Sequence, residues 1–281
     1  MNWNASTIEN LRRVFTEGFT ARDIAEPLAS FDTATATAEV LGLMNQRNFD
    51  VVGVRKDGVV VGYAEREHLC GSTCGEQVRT IEVPISDTAP LADVVLGLAE
   101  SPRLFVRVLG AVGGIITRSD LQKPPVRMWL FGMITLLEMR TTRLIELKCK
   151  GDSWKQYLSE SRLQKAEALL EERKRRSQNL ELIDCLQISD KGQIIAKNEE
   201  IRGLTRMQSR RQAEQAVKML ESLRNNLAHS QDIISCDWGT IVELCKDMER
   251  VISGTEAVQQ VLECGTHHSN LIPWANGSCD E

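Results

Sequence analysis

The sequence predicts an α+β protein in which an N-terminal α/β module is followed by a C-terminal all-α helical bundle. Valine-rich runs on both sides of Asp57-Gly58 are typical of a β-hairpin. After Pro124-Pro125, glycine becomes scarce and apolar residues recur at helical spacing. The 281 residues are enough for two domains, each with a core of its own.

Composition and charge narrow the classes of function. A net charge of −5 excludes a general basic field for nucleic acid, so any RNA contact has to be local. The longest apolar stretch, Met128 to Leu137, is too short to span a membrane, and no membrane partner is expected. The first residues lack a basic start followed by an apolar run, so we expect a cytoplasmic protein with eight reduced cysteines.

The close pair Cys70-x3-Cys74 is the sequence feature that comes nearest to a metal site. Zinc requires two further ligands at matching spacing, and the sequence offers none. We therefore expect packing cysteines and no metal site.

After an N-terminal helix or arm at 1–20, residues 21–123 contain one pattern twice. Copy one has a predicted helix at 36–47 and two strands around the turn Lys56-Asp57-Gly58. A second helical start follows at Ala64–Leu69.

Copy two repeats this order. A strand is predicted at Ile81–Pro84 and a helix at Pro90–Glu100, with Asp87 or Thr88 as its cap. Two further strands follow, and the copy closes with a strand-to-helix turn; they are predicted at Leu104–Val108, Gly114–Ile116 and Thr117–Leu121.

The double pattern and the run Gly114-Ile115-Ile116-Thr117-Arg118-Ser119-Asp120-Leu121 resemble a tandem CBS domain pair, or Bateman module. The resemblance implies that Thr117 and Asp120, with Arg118 and Ser119 between them, hold the ribose and phosphate of an adenine nucleotide. AMP, ADP, ATP or a derivative is then the regulatory ligand. A structural reading stays open, because threonine and aspartate at this spacing also cap a helix.

Copy one departs from the family pattern. Ala64 takes the place of the threonine, and Glu67, with a longer reach, takes the place of the aspartate. At most one good nucleotide site, built around copy two, is therefore expected, with Glu67 as the candidate residue in copy one.

The C-terminal half, predicted as a helical domain at 126–262, ends in an irregular tail at 263–281. Ser189–Gly192 is predicted as a turn, and 194–203 receives no clear assignment. The periodicity predicts helices at Val126–Lys148, Ser153–Arg176, Leu180–Leu186, Met207–His229 and Cys236–Ser253.

Near the end of the penultimate long helix, Arg224 stands five positions before His229, and the polar residue Asn225 follows the arginine directly. Arginine binds phosphate through a permanent charge and a planar fork of donors. Histidine exchanges protons near neutral pH. Such a pair provides the minimum chemistry for cleaving a phosphodiester without a metal.

A bundle of four to five helices with this Arg-x4-His motif resembles the HEPN family, whose members include metal-independent endoribonucleases of toxins and phage-defence systems. The resemblance implies that Arg224, His229 and Asn225 are catalytic and that no catalytic cofactor is needed. RNA would be cleaved to 2′,3′-cyclic phosphates in a cleft between two protomers. A homodimer, or a higher even oligomer, is therefore expected, and an antitoxin partner stays open.

Geometry and charge keep other readings open. Positions five apart lie about 140° apart around an ideal helix, so Arg224 and His229 share a site if the helix ends there, if the long arginine side chain wraps back, or if two protomers combine their motifs. The basic run at 171–176, together with Arg202, Arg206 and Arg210-Arg211, would border an RNA site or form a solvated face. The alternative to a nucleotide-regulated ribonuclease is a non-catalytic nucleotide sensor that dimerises or docks partners.

Overall fold

The computed structural model of the chain describes residues 5–205, 207–228, 232–233, 242–243 and 246. Helices and strands of the first part build a mixed α/β module, and the remainder of the described chain is helical. Tertiary contacts divide the protein into a repeat unit that includes Glu9–Gly132 and a helical unit that begins at Met133. The division falls within one long helix.

Eight α-helices lie within the described residues: α1 Ala5–Glu17, α2 Thr37–Arg47, α3 Leu91–Glu100, α4 Pro124–Lys148, α5 Glu160–Arg175, α6 Ile188–Lys197, α7 Glu199–Leu204 and α8 Arg210–Ala228. The described strands are β1 Glu26–Pro27, β2 Ser30–Asp32, β3 Val51–Lys56, β4 Val59–Glu65, β5 Ile85–Ser86, β6 Arg103–Val108 and β7 Ala111–Thr117. Short 3₁₀ turns occur at Ala21–Asp23, Arg66–His68, Cys74–Gln77, Arg118–Gln122, Gly151–Tyr157 and Leu182–Cys185.

The two copies of the sequence pattern form two sheets that exchange their outer segments. One sheet has the order β2-β3-β4, and the other has the order β1-β7-β6-β5. β1 precedes copy one in the chain but pairs antiparallel with β7 of copy two. Reciprocally, Arg79, which precedes copy two, bridges to Tyr63 of β4 in copy one. Each copy therefore needs a segment of the other to complete its sheet.

The predicted hairpins are confirmed, and the first strand of each is buried on both faces. Val52, Val54 and Ala64 of copy one pack with Val40 and Met44 of α2. The joint between the copies is apolar as well: Leu28, Val51 and Phe105 are buried together, with Tyr63 and Ile115 packed against them. Tyr63 and Phe105 have ring centroids 4.8 Å apart, a distance at which aromatic pairs attract each other beyond their area burial.

Three details of the repeat unit differ from the sequence prediction. The strand expected at Ile81–Pro84 is wrong, because β5 comprises Ile85–Ser86 and pairs with β6 there. Neither Asp87 nor Thr88 caps α3, whose N-cap is Pro90. The carboxylate of Asp87 instead binds Arg22 at 2.5 Å.

Pro124 and Pro125 are the first two residues of α4, so they belong to this helix and not to a linker before it. Proline fits the first turn of a helix, where the missing N–H has no helical partner in any case. The predicted helix from Ser153 is also wrong in its first part. A 3₁₀ turn covers Gly151–Tyr157, and α5 begins only after the extended N-cap Ser159.

The turn predicted at Ser189–Gly192 is wrong, because these residues lie inside α6. Gly192 is a packing residue: a Cβ added there would lie 2.3 Å from Cγ2 of Val217 on α8. The glycine therefore lets two helix backbones approach closely, a role that sequence alone does not separate from turn formation. The core of this unit contains Leu144, Ile145, Trp154, Ile194 and Ile201, together with other buried apolar residues.

The stripe predicted on the long helix is confirmed in α8, where Ala213, Ala216 and Leu220 are buried. The shorter helix predicted at Leu180–Leu186 is observed as the 3₁₀ turn Leu182–Cys185. The helix predicted at Cys236–Ser253, apart from isolated positions, and the tail at 263–281 lie outside the described residues.

We expect Gly192→Ala to lower the free energy of unfolding by about 1–3 kcal/mol, because the new methyl group overlaps the β-branched side chain of Val217. Gly203→Ala is the matched control, since Gly203 lies in α7 with no heavy atom within 4 Å of the added Cβ. That control should be neutral or stabilising by about 0.5–1 kcal/mol through helix propensity. Urea denaturation measures both, and equal effects of the two substitutions would contradict the packing role.

Candidate functional site

Copy two ends in a compact group of polar side chains. Thr117 is the last residue of β7, and its backbone N–H donates to Oδ2 of Asp120 at 2.7 Å. The Thr117 hydroxyl donates to the same oxygen at 2.9 Å and lies 2.8 Å from the hydroxyl of Ser119. Two hydroxyls and a carboxylate are thereby brought together at the strand-to-turn corner predicted from the sequence.

The second carboxylate oxygen of Asp120 is held by Lys123 at 2.9 Å. The ammonium of Lys123 also donates to the carbonyl of Ile24 at 2.6 Å and to the carboxylate of Glu26. Burial alone would lower the pKa of Lys123, but hydrogen bonds to Glu26 and Asp120 raise it above its ordinary value. All three N–H groups of this lysine are in use, so it anchors the corner to the segment that precedes β1.

Arg118 has a different environment from its neighbours. Its Nε and Nη2 both donate to the carbonyl oxygen of Leu98, each at 3.2 Å. Leu98 lies in the last turn of α3, where backbone carbonyls have no helical partner. This contact gives Arg118 a structural role in holding the corner against α3.

The strand registers define which residues of the two copies correspond. Val51 pairs with Glu65 in copy one, and Arg103 pairs with Thr117 in copy two. Both hairpins have an irregularity two residues before the end of the first strand, and β4 and β7 have the same burial pattern. Glu65 is therefore the counterpart of Thr117.

This register corrects the sequence comparison of the two copies by one residue. Ala64 does not replace the threonine: it is fully buried within β4, where its side chain joins the core of copy one. Glu67, which is exposed, corresponds to Ser119, and His68 corresponds to Asp120. The sequence prediction was wrong because it ended the strand too early, and a slip of one position moves every strand residue to the other face.

Glu65 is bound by three cationic side chains. Its Oε1 accepts from Arg103, and its Oε2 lies 2.7 Å from Arg79 and 3.1 Å from Nδ1 of His68. The hydrogen bond from Arg103, followed by the charges of Arg103, Arg79 and His68, holds the pKa of Glu65 below its ordinary value. Sequence analysis missed this group because its arginines are distant from Glu65 in the chain.

In the helical unit, Arg224 lies near the end of α8 with 45% of its side chain exposed. Its Nε is 3.6 Å from a carboxylate oxygen of Glu138 on α4. Asn225 is exposed on the same helix. His229, the third residue of the predicted catalytic set, lies outside the described residues.

A buried lysine lies close to this arginine. Lys191 of α6 is 7% exposed, and burial lowers its pKa from the ordinary value. The charges of Glu138, Asp184 and Glu146 oppose this shift, while that of Arg224 adds to it. Sequence analysis missed Lys191 because its segment was assigned to a turn. The signal was the spacing to Ile188 and Ile195, which share its helix face.

The other basic residues considered for RNA contact are mostly engaged in local contacts. Arg175 and Arg176 pair with glutamates one helical turn earlier, and Arg210 pairs with Glu214 at 2.8 Å. Arg202 donates to the carbonyl of Ala196 at 2.9 Å. These pairs match the solvated-face reading, whereas Arg206 lies outside the described residues.

The cysteine pair is split between two environments. Cys70 is exposed, while Cys74 is buried and its thiol lies 3.2 Å from the carbonyl oxygen of Asp32. Burial raises the pKa of the Cys74 thiol. Among the residues that the structure describes, no three His, Cys, Asp or Glu side chains are grouped as metal ligands would be. Likewise, none of the described helices has the length and apolarity that crossing a bilayer requires.

Comparison with known proteins finds no matching family model and no matching curated protein. Solved structures of CBS domain pair proteins match the N-terminal portion of this chain. The complex of Arabidopsis thaliana CBSX2 with AMP is 21% identical over 40% of this chain and 98% of its own, with a TM-score of 0.36. CbpB in complex with c-di-AMP is 21% identical over 45% of this chain and 95% of its own, with a TM-score of 0.36. The CBS domain of a bacterial CNNM/CorC family Mg²⁺ transporter in complex with ATP is 16% identical over 42% and 94%, with a TM-score of 0.34.

The buried ammonium of Lys191 predicts a specific pH dependence of stability. Its folded pKa is lowered, while the unfolded chain keeps a lysine pKa of about 10.4. Between the folded and the unfolded pKa, the unfolded state binds more protons than the folded state does. The contribution of Lys191 to the free energy of unfolding therefore increases as the pH rises. Lys191→Met removes that contribution. We therefore expect the free energy of unfolding of wild type to increase relative to the variant as the pH rises from neutral toward the unfolded lysine pKa of about 10.4.

Urea denaturation at several pH values measures this difference, with Lys218→Met at an exposed position of α8 as the control for losing a lysine. Parallel curves for wild type and Lys191→Met would show that the buried amine does not titrate differently in the folded state.

Proposed function

We propose that this chain is a nucleotide-responsive regulator, in which the tandem CBS-like module binds an adenine nucleotide and controls a ribonuclease in the helical unit. The observation that carries the nucleotide site is the corner of copy two, where the hydroxyls of Thr117 and Ser119 and the carboxylate of Asp120 lie within hydrogen-bond distance of one another. These are the groups that recognise ribose and phosphate oxygens.

The remaining hydrogen-bonding capacity of the corner fits such a ligand. A carboxylate accepts about four hydrogen bonds, and the three described at Asp120 leave one for a ribose hydroxyl. The Thr117 proton is used by Asp120, so the contact between the two hydroxyls uses the Ser119 proton, and both oxygens keep acceptor capacity for ribose hydroxyls. Arg118 and Lys123 are committed to protein carbonyls and carboxylates, so they would fix the corner while the Ser119 hydroxyl turns from Thr117 to donate to the phosphate.

In copy one, the same corner holds Glu65 and His68 instead of threonine and aspartate. A carboxylate at the Thr117 position repels phosphate, and imidazole does not accept from two ribose hydroxyls as a carboxylate does. The module is therefore proposed to bind one adenine nucleotide, and Glu67 is proposed to lie outside the site that binds it.

Isothermal titration with AMP, ADP and ATP tests this site. We expect Thr117→Val to weaken binding by about 3–10-fold, the value of one lost hydrogen bond, and Asp120→Asn to weaken it at least as much. Glu67→Gln, the matched variant in copy one, should bind as wild type does. Thermal unfolding of each variant separates loss of the site from loss of the fold, because Thr117 and Asp120 also bond to each other.

Full binding by a folded Thr117→Val variant would remove the copy-two corner as the nucleotide site. Weaker binding by Glu67→Gln alone would transfer the site to copy one.

The effector half of the proposal is a metal-independent endoribonuclease of the HEPN type. Arg224 supports it by its position: the guanidinium is half-exposed on α8 and rests 3.6 Å from Glu138, a weak ion pair that a phosphate can replace. Arg224 would stabilise charge on the phosphate oxygens, and Asn225 would orient the histidine or an oxygen.

His229 would remove the proton of the RNA 2′-hydroxyl or donate one to the departing 5′-oxygen. Attack of the 2′-oxygen on phosphorus breaks the bond to the 5′-oxygen and leaves a 2′,3′-cyclic phosphate. In a homodimer, one His229 performs each proton transfer across a shared cleft. A nucleotide controls this reaction when it binds with different affinity to two arrangements of the protein.

Incubation of the purified protein with tRNA or total RNA in EDTA, with and without adenine nucleotide, tests the activity. We expect cleavage to fall about 10²–10⁴-fold in His229→Ala, the usual contribution of a proton-transfer group, and strongly in Arg224→Ala. Lys218→Ala, at an exposed position of the same helix, should cleave as wild type does. End-group analysis should find the cyclic phosphate.

Intact RNA under every condition would instead favour the non-catalytic alternative, a nucleotide sensor that dimerises or docks a partner. One observation favours that alternative: Met128 and Phe131 of α4 are 61% and 51% exposed and lie one helical turn apart. A partner such as an antitoxin would then be the target of regulation.

A further inference from the structure

Two arginines and a histidine from three separate segments converge on the carboxylate of Glu65 at the end of β4. Arg79 comes from the segment before copy two, Arg103 from the first position of β6, and His68 from the turn after β4. Residues in this group, here called the Glu65 cluster, are Glu65, His68, Arg79 and Arg103. The carboxylate is 16% exposed, while Arg79 and His68 remain 45% and 56% exposed.

The two arginines are positioned by contacts that do not involve Glu65. The backbone N–H and carbonyl of Arg79 exchange hydrogen bonds of 2.8 and 3.0 Å with Tyr63. This approach requires Gly62, where a Cβ would lie 2.5 Å from the carbonyl oxygen of Arg79. The guanidinium of Arg103 lies 5.9 Å from the centroid of the Tyr63 ring, and its backbone is paired in β6. The arrangement is therefore pre-organised by the sheet.

The charge of the cluster is not balanced by its single carboxylate. Two arginines are permanently charged and His68 adds a third positive charge when protonated, whereas Glu65 contributes one negative charge. A phosphate group carries up to two negative charges and accepts hydrogen bonds on three oxygens, so it matches the two guanidinium groups better than one carboxylate does. The lowered pKa of Glu65 has the same origin.

Copy two has no such cluster at its own corner. By strand register, Val51 is the counterpart of Arg103, and Glu26, which pairs with Ile115, is the counterpart of Arg79. The two arginines therefore meet only at the corner of copy one, and their meeting does not follow from the repeat itself.

We propose that the Glu65 cluster is an anion-binding site for a phosphate group, and that the carboxylate of Glu65 occupies the anion position and closes it. In this arrangement Glu65 is an internal substitute for phosphate. Removing its charge opens a site for inorganic phosphate or a phosphomonoester between Arg79 and Arg103. The site includes Arg103, which is paired with Thr117 in copy two, but it does not require a nucleotide at the copy-two corner.

Titration calorimetry with inorganic phosphate, in buffer of constant ionic strength, tests the proposal on the full-length chain. Glu65→Gln should bind phosphate about tenfold more tightly than wild type or better. The gain should disappear in the double variant Glu65→Gln with Arg79→Gln. Glu67→Gln, which removes an exposed carboxylate two residues away, should leave phosphate binding at the wild-type level.

A folded Glu65→Gln variant with wild-type phosphate affinity would overturn the proposal, as would tight phosphate binding by wild type that is lost in Arg79→Gln. If Glu65→Gln does not fold in buffer alone, inorganic phosphate must restore its cooperative thermal transition, because phosphate would supply the missing negative charge. A variant that stays unfolded in phosphate would refute the closed site. None of these outcomes depends on whether copy two binds AMP.

Discussion

The register of the two antiparallel hairpins is the constraint on which the repeat unit depends. Each hairpin pairs the first residue of one strand with the last residue of the next, so Val51 faces Glu65 and Arg103 faces Thr117. Because side chains alternate between faces, this pairing decides which residue reaches the corner and which enters the core. Exchange of the outer segments then brings Arg79 and Glu26 to the corners of the opposite copies.

One backbone pattern therefore supports two different chemical environments. At the corner of copy two, Asp120 accepts hydrogen bonds from the backbone and the hydroxyl of Thr117, and it also forms an ion pair with Lys123. The groups that this corner offers to a ligand are therefore hydroxyls and a carboxylate. At the corner of copy one, the carboxylate of Glu65 is surrounded by cations. The energetic reason is the same in both: a poorly solvated carboxylate is stable only when donors or cations accompany it.

The sequence was sufficient for features that depend on neighbours in the chain. The Asp57-Gly58 hairpin, α2, α3 and the buried stripe of α8 follow from turn chemistry and periodicity, and they are found as predicted. Features that depend on distant segments were missed or misplaced. From the sequence alone, Gly192 resembles a turn glycine, because its packing role depends on Val217 of a distant helix. A turn at this position also predicts an exposed Lys191, whereas Lys191 is buried. The Glu65 cluster needs Arg79 and Arg103, whose approach follows only from the exchanged sheets.

Lys123 is the residue at which a ligand of copy two would compete most directly with the protein. Its ammonium joins Asp120, Glu26 and the carbonyl of Ile24, and its pKa is raised by these contacts. A ribose hydroxyl that donated to the remaining acceptor site of Asp120 would share the carboxylate charge with this lysine and weaken their ion pair. Pro124, the first residue of α4, follows immediately, and α4 also carries Glu138, the carboxylate beside Arg224. The proposed regulation would need two states that differ in nucleotide affinity, and the ion pair between Lys123 and Asp120 is where we would expect them to differ.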